Sequence, residues 1–341
     1  MKKLKVLRYN VFNILSILSI IFLSCNSNKN YKKINYSFND SIKSIDSINN
    51  LIKLDSLNAD LFFSRSNFFI KYSNLSDAYK DLVISCRLDS FNSFYKFKLG
   101  SLYYLMGNSK KAKDTWELCA NIDYTNIDCR LNLAELYLAV NDFKNGLKII
   151  NEILDYDSEN FYALFLKGNF FLFNDDTTKA ITLIQESLNL NNKFFEGFDL
   201  MGTIYSDLNN YLAIDYFNYA CIIKPDRYDI FYKIGMFYQK MNNYDNAILN
   251  YLKSIKLNPS DKFSYHNIGV INIYKDNFED AIENFSYAID IDPTYNEAYF
   301  GRAYSYELSN KKLASETDYR TSLMINPSYR PSILGLERLS K

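Results

Sequence analysis

"NFEDAIENFSYAIDIDP" occupies Asn277 to Pro293, and "NYDNAILNYLKSIKLNP" occupies Asn243 to Pro259, thirty-four residues earlier. The later copy spaces Ala281, Phe285, Ala288 and Pro293 by four, three and five, and the earlier copy sets Ala247, Tyr251, Ser254 and Pro259 at the same offsets. Steps of three and four place these side chains on one face of a helix. The proline closes the segment, because it lacks an amide hydrogen and restrains the residue before it. A helical pattern that returns at a fixed interval marks a repeat, and the repeat governs how the rest of the chain is read.

Working outward, units begin at Ala59, Ser93, Ile127, Phe161, Phe195, Tyr228, Lys262 and Asn296. All span 34 residues except the unit at Phe195, which is one shorter in the turn "DLNNY". The eighth position reads Ser66, Gly100, Ala134, Gly168, Gly202, Gly235, Gly269 and Ala303. The twentieth reads Ala78, Ala112, Gly146, Ala180, Ala213, Ala247, Ala281 and Ser315. Only Gly, Ala and Ser occur there, which predicts that the two helices of each unit approach closely at these points. Larger residues such as Phe231, Ile234, Tyr238 and Tyr251 fill the flanking layers. Each half-unit is about 14 residues, or roughly 20 Å of helix. Polar turns such as "KMNNYD" and "YKDNFE" separate the halves. Pro225, Pro259, Pro293 and Pro327 all fall where a unit ends, and Pro331 opens a final apolar run.

This pattern resembles the tetratricopeptide repeat (TPR) over Ala59 to about Tyr329, about four-fifths of the chain. The last four units carry the terminal proline, whereas the first four have Ser90, Tyr124, Ser158 and Asn192 instead. The resemblance implies an all-α fold: a right-handed α-solenoid of about eight helix pairs, with terminal capping helices. It also implies a scaffold that binds proteins or peptides. Each unit buries its faces only against neighbours, so the two ends need caps. Residues 40–58 supply the first, with Ser44, Ile48 and Leu51 in the positions of Ala78, Leu82 and Ser85. Residues 330–341 supply the second, with Ile333, Leu336 and Leu339 facing the last unit.

The N-terminus reads differently. Lys2, Lys3, Lys5 and Arg8 precede a mostly apolar run from Val11 to Leu23, too short for the roughly 20 residues a spanning helix needs. This is the pattern of a secretory signal. The tail "IFLSC" resembles a bacterial lipobox with Phe22 where Leu is usual, and that resemblance implies lipid attachment at Cys25 after removal of residues 1–24. Residues 25–39 read as a polar tether. An ordinary cleaved signal and an uncleaved anchor are the alternatives; the lipobox resemblance implies a bacterial cell envelope, with lipid anchoring at the outer membrane facing the periplasm.

The chain carries 39 basic and 39 acidic residues. Loss of the four basic residues of the signal would leave it at about −4. No basic stripe of the kind that displaces counterions is visible, which argues against nucleic acid as a partner. Cys86, Cys119, Cys129 and Cys221 have no spacing that supports a metal site. In the repeat register Cys119 ends one helix and Cys129 opens the next, so a disulfide between them is open. The preferred reading of all four is as buried small hydrophobes.

Catalytic chemistry finds little footing. His266 is the single histidine, and neither a G-x-S-x-G nor an H-E-x-x-H pattern is present. "GNSKKA" at Gly107 lacks the first glycine of a phosphate loop and lies where a turn is required. No cofactor, metal or small-molecule substrate is expected, and an enzyme using His266 is the weakest alternative.

In TPR proteins, ligands meet the inner face of the first helix of each pair, at positions two, five, nine and twelve. Position five reads Phe63, Phe97, Leu131, Phe165, Asp199, Tyr232, His266 and Phe300. With Phe94, Tyr104, Leu138, Tyr162, Asn169 and Leu172 this predicts an apolar, aromatic trough over the second to fourth units. The trough turns more polar at Glu196, Asp199 and Asp229. Phe63 and Phe165 stand where a carboxylate clamp would have lysine, so recognition of that kind is not expected. Packing between adjacent first helices is the alternative role for these aromatics. The expected function is a membrane-anchored scaffold that holds a protein or peptide segment and aids envelope or secretion-machine assembly. A regulatory adaptor for cell-wall enzymes is the alternative.

Overall fold

The computed structural model describes residues 45–340. The signal, Cys25, the tether and Ser44 lie outside the described residues. Eighteen helices and no strand occur among the described residues. They form two compact units, one ending at Asn191 and the other beginning at Asn192.

The first unit contains α1 (Ile45–Leu54), α2 (Ala59–Lys71), α3 (Leu75–Leu88), α4 (Ser93–Leu105), α5 (Ser109–Ile122), α6 (Ile127–Ala139), α7 (Phe143–Tyr156), α8 (Phe161–Phe173) and α9 (Thr177–Leu190). The second contains α10 (Phe195–Asp207), α11 (Leu212–Ile223), α12 (Tyr228–Lys240), α13 (Tyr244–Leu257), α14 (Lys262–Tyr274), α15 (Phe278–Ile291), α16 (Asn296–Leu308), α17 (Lys312–Ile325) and α18 (Arg330–Leu339). Within each unit, consecutive helices pair and the pairs stack on one another, four pairs to a unit, as in a TPR solenoid.

Local chemistry sets the punctuation. The turn inside every pair places one residue in the left-handed region: Ser73, Gly107, Asn141, Asp175, Asn209, Asn242, Asp276 and Asn310, with φ between 57° and 76°. These are residue types that tolerate that conformation, by lacking a Cβ or by bonding locally. Gly107 thus belongs to an ordinary turn and not to a phosphate loop. In the first unit all eight helices from α2 to α9 begin after an Asn or Asp whose side chain accepts from a first-turn amide. Each such cap is worth about 1 kcal/mol. Between pairs, Pro225, Pro259, Pro293 and Pro327 sit in the turns.

Packing within a pair differs in detail from the sequence expectation. The small eighth position serves chiefly to admit a large side chain from position twenty-four of the partner helix. A Cβ on Gly235 would lie 2.7 Å from the Tyr251 ring, one on Gly202 2.5 Å from Phe217, and one on Gly100 2.5 Å from Trp116. Position twenty-four is Leu82, Trp116, Ile150, Ile184, Phe217, Tyr251, Phe285 and Tyr319, and none is more than 2% exposed. Direct approach of positions eight and twenty survives at Gly168, whose Cβ would lie 3.2 Å from the Ala180 carbonyl oxygen.

A second contact recurs within each unit, where one pair meets the helix that follows it. Ser322 on α17 and Ser332 on α18 are hydrogen-bonded at 2.8 Å. Ser254 and Ser264, the same two positions on α13 and α14, both donate to Asp261. In the first unit this contact is made by Cys119 on α5 and Cys129 on α6, which form a disulfide across 6.2 Å between Cα atoms. Their role as merely buried hydrophobes is thereby corrected, because the repeat brings these two positions within bonding range. Cys86 and Cys221 are free thiols, and burial pushes both up to about 11.

At the termini, Ile48 is buried on α1 while Leu51 is exposed. On α18, Ser332 and Gly335 form the buried face, and Ile333 is exposed. The expectation for Ile333 fails because the Tyr319 ring comes so close that a Cβ on Gly335 would meet it at 2.4 Å. Only small residues fit against it.

Candidate functional site

In the first unit, the first helices of successive pairs lie side by side and join into one face. Phe63 on α2 meets Phe94 on α4 edge-to-face at 5.3 Å. Tyr162 on α8 donates its hydroxyl to Glu135 on α6, and Glu135 also acts electrostatically on Tyr104 of α4. The residues of the expected trough fall into three groups. Phe94 is exposed, at 43%. Tyr104, Leu131, Leu138, Tyr162 and Leu172 are half-buried along the same helices. Phe97, Phe165 and Asn169 are buried, at 7%, 2% and 8%.

The buried three have structural work to do. Phe165 stacks with Tyr162 at 5.8 Å. Asn169 donates back to the Phe165 carbonyl one turn earlier, at 2.9 Å. Trp116 donates its indole N–H to the Phe97 carbonyl, at 3.2 Å. Truncating Phe97 and Phe165 together therefore removes core volume, at about 3–5 kcal/mol each, and would not leave the fold intact.

Glu135 is the residue that the sequence reading passed over. It occupies position nine of its unit, so the positional rule reaches it, although its type sets it apart from the aromatics of the trough. It remains half-buried. Desolvation raises its carboxyl to about 7, against a smaller opposing effect of the Tyr162 hydroxyl. Asp128, at position two of the same helix, is also raised by desolvation, with Lys98 opposing. Neither acid has a basic side chain within salt-bridge range among the described residues. Lys98 is instead held over the rings of Phe94 and Phe97, at 5.4 and 5.2 Å.

One buried donor on α6 lacks a partner: the Asn132 amide nitrogen. Its counterpart in the second unit, Asn267, donates toward the hydroxyls of Tyr232 and Tyr251. The residues at those positions in the first unit are Phe97 and Trp116, and neither offers an acceptor.

The acids expected to make the face more polar in the second unit are all paired within the chain. Lys224 donates to Glu196 at 3.0 Å, Lys233 to Asp199, and Arg227 to Asp229 at 2.7 Å. His266 packs against the rings of Phe285 and Tyr295, at 5.4 and 5.2 Å. Its hydrogen-bond contact is with the adjacent Asn267 side chain. Desolvation lowers its pKa and favours the neutral ring. Among the described residues no group of three His, Cys, Asp or Glu could hold a metal ion.

Comparison with known families fits this geometry. Residues 228–261 and 264–295 match the tetratricopeptide repeat, so the chain carries TPR units in a helical solenoid. A chain of the APC/C hetero-tetramer Cut9–Hcn1 shares the fold with a TM-score of 0.51 at 14% identity, over 87% of this chain and 59% of that one. The MamA protein (TM-score 0.46, 19% identity) matches over 50% of this chain and 93% of its own. YrrB, described as a TPR protein with an unusual peptide-binding site (0.46, 22%), matches over 55% and 96%. A search of curated proteins returns no match.

Proposed function

We propose that this protein is an interaction scaffold whose first unit holds a segment of a partner protein along the face built by α4, α6 and α8. TPR proteins bind protein or peptide partners and are generally without enzymatic activity. The observation that carries the reading is the side-by-side run of Phe94, Tyr104, Leu131, Leu138, Tyr162 and Leu172, all left open or half-open on adjacent helices. Apolar side chains left open along one face favour an interaction site.

We further propose that the scaffold is exported and lipid-anchored through Cys25 in a bacterial envelope, where it aids assembly of envelope or secretion machinery. The basic, apolar and "IFLSC" succession of the N-terminus supports export. The Cys119–Cys129 disulfide supports it too, since such bonds persist in oxidising compartments.

A photo-crosslinking residue at Phe94, which is exposed and leaves the core intact, tests the binding face in cells. A specific crosslinked protein, lost when Leu138→Glu is added, is the expected result. Crosslinks only from probes on second helices would refute the assignment. Fatty-acid labelling that persists in Cys25→Ser would refute the anchor.

A further inference from the structure

We propose that the segment bound by the first unit carries a lysine or arginine side chain, seated on Glu135 beside Tyr162, with apolar residues flanking it. This deepens the binding reading above and rests on it.

The second unit shows how this chain completes a carboxylate set beside aromatic rings. Lys224 sits 4.3 Å from the centre of the Phe195 ring while donating to Glu196. Arg227 sits 4.6 Å from the same ring while paired with Asp229. Lys262 lies over Phe263 and Tyr295, at 5.1 and 5.0 Å, and donates to Asp292. In each case a cation is held by an acid on one side and a ring face on the other, an arrangement favoured because both attract positive charge.

The first unit sets an acid, Glu135, against an aromatic residue, Tyr162, without the cation. Tyr162 from α8 donates to its carboxylate, and Tyr104 from α4 lies close enough to feel its charge. The remaining charged groups on this face are Asp128 of α6 and Lys98 of α4, and Lys98 is engaged over Phe94 and Phe97. No lysine or arginine of the described chain reaches Glu135. An acid held half-buried without a counter-charge is unfavourable in the ionised form. A partner's cation would relieve that and gain ring contacts along its aliphatic stem. The raised carboxyl pKa agrees with this and predicts that binding tightens as the carboxyl ionises.

The test selects a displayed library of random 12-residue peptides on the full-length chain. Synthetic copies are then mapped by a photo-crosslinker at Phe94. The expected result is a consensus with Lys or Arg between apolar residues. Affinity should rise about tenfold from pH 6 to pH 8, as a carboxyl near 7 loses its proton. Glu135→Gln, which keeps an acceptor for Tyr162, should weaken binding at least tenfold at pH 8 and abolish the pH dependence, with unchanged circular dichroism. Peptides that crosslink to this face yet lack a basic residue, or bind Glu135→Gln equally well, overturn the cation proposal and leave the binding face standing. Selection that yields no peptide on this face overturns both.

Discussion

Changing Gly235 to Ala tests the packing rule that repeats through the fold. An added Cβ would lie 2.7 Å from two carbons of the Tyr251 ring, about 0.7 Å inside ordinary contact. The ring cannot slide away freely. It is 0% exposed, its hydroxyl donates to Gln239 at 2.6 Å, and Asn267 donates to that hydroxyl at 3.2 Å. Overpacking of this kind costs about 1–3 kcal/mol. Alanine in place of glycine inside a helix recovers roughly 1 kcal/mol, so the expected net loss is about 0–2 kcal/mol. In a Tyr251→Leu background the ring is gone, and the same change should stabilise by roughly 1 kcal/mol. The coupling between the two positions is then about 1–3 kcal/mol. The chain already holds such pairings, with Ser66 opposite Leu82 and Ala134 opposite Ile150 at the same two positions. The double-mutant cycle is read by urea unfolding followed at 222 nm with an unchanged m-value. Amide exchange over Tyr228–Leu257 locates the loss. Additivity within about 0.5 kcal/mol would refute the idea that the eighth position exists to admit the side chain at the twenty-fourth.

Two more outcomes bear on the first unit. Glu135 has a folded pKa of about 7 against an ordinary 4.5, so the folded state holds the proton more tightly. Its contribution to stability is complete below about 4.5 and is lost as pH rises through 7. Glu135→Gln should therefore melt higher than the wild-type chain at pH 8 and nearly alike at pH 4, and an equal difference at both would contradict the desolvation of Glu135. The Cys119–Cys129 disulfide spans ten residues of sequence, and closing a loop of that size stabilises by about 2.7 kcal/mol. Cys119→Ala with Cys129→Ala should lower the melting point of the oxidised chain and leave it insensitive to reductant. An oxidised chain that melts the same with and without reductant would argue against the bond.

How much was legible in the sequence varies with the range of the interaction. The pairing of helices follows from side chains three and four apart, from prolines between pairs, and from turn residues that accept a left-handed backbone. All of these act within one unit. The trough was legible only as a set of positions. Phe94 and Phe97 are three residues apart on one helix, yet one is open and the other is core. The difference lies in what the next pair brings against them. Glu135 reads as one more surface acid until Tyr162, from the next pair, bonds to it. Asn132 reads as an ordinary polar residue until Phe97 and Trp116 leave its amide without an acceptor.

By itself, the sequence determined that this chain is built of stacked helix pairs at a period of 34, because helical periodicity and turn chemistry are written in neighbouring residues. Only the tertiary structure decided which cysteines bond, which aromatics remain open, and which carboxylate stands without a counter-charge. Those outcomes depend on side chains ten to some thirty residues away in sequence, brought together by the stacking of one pair on the next.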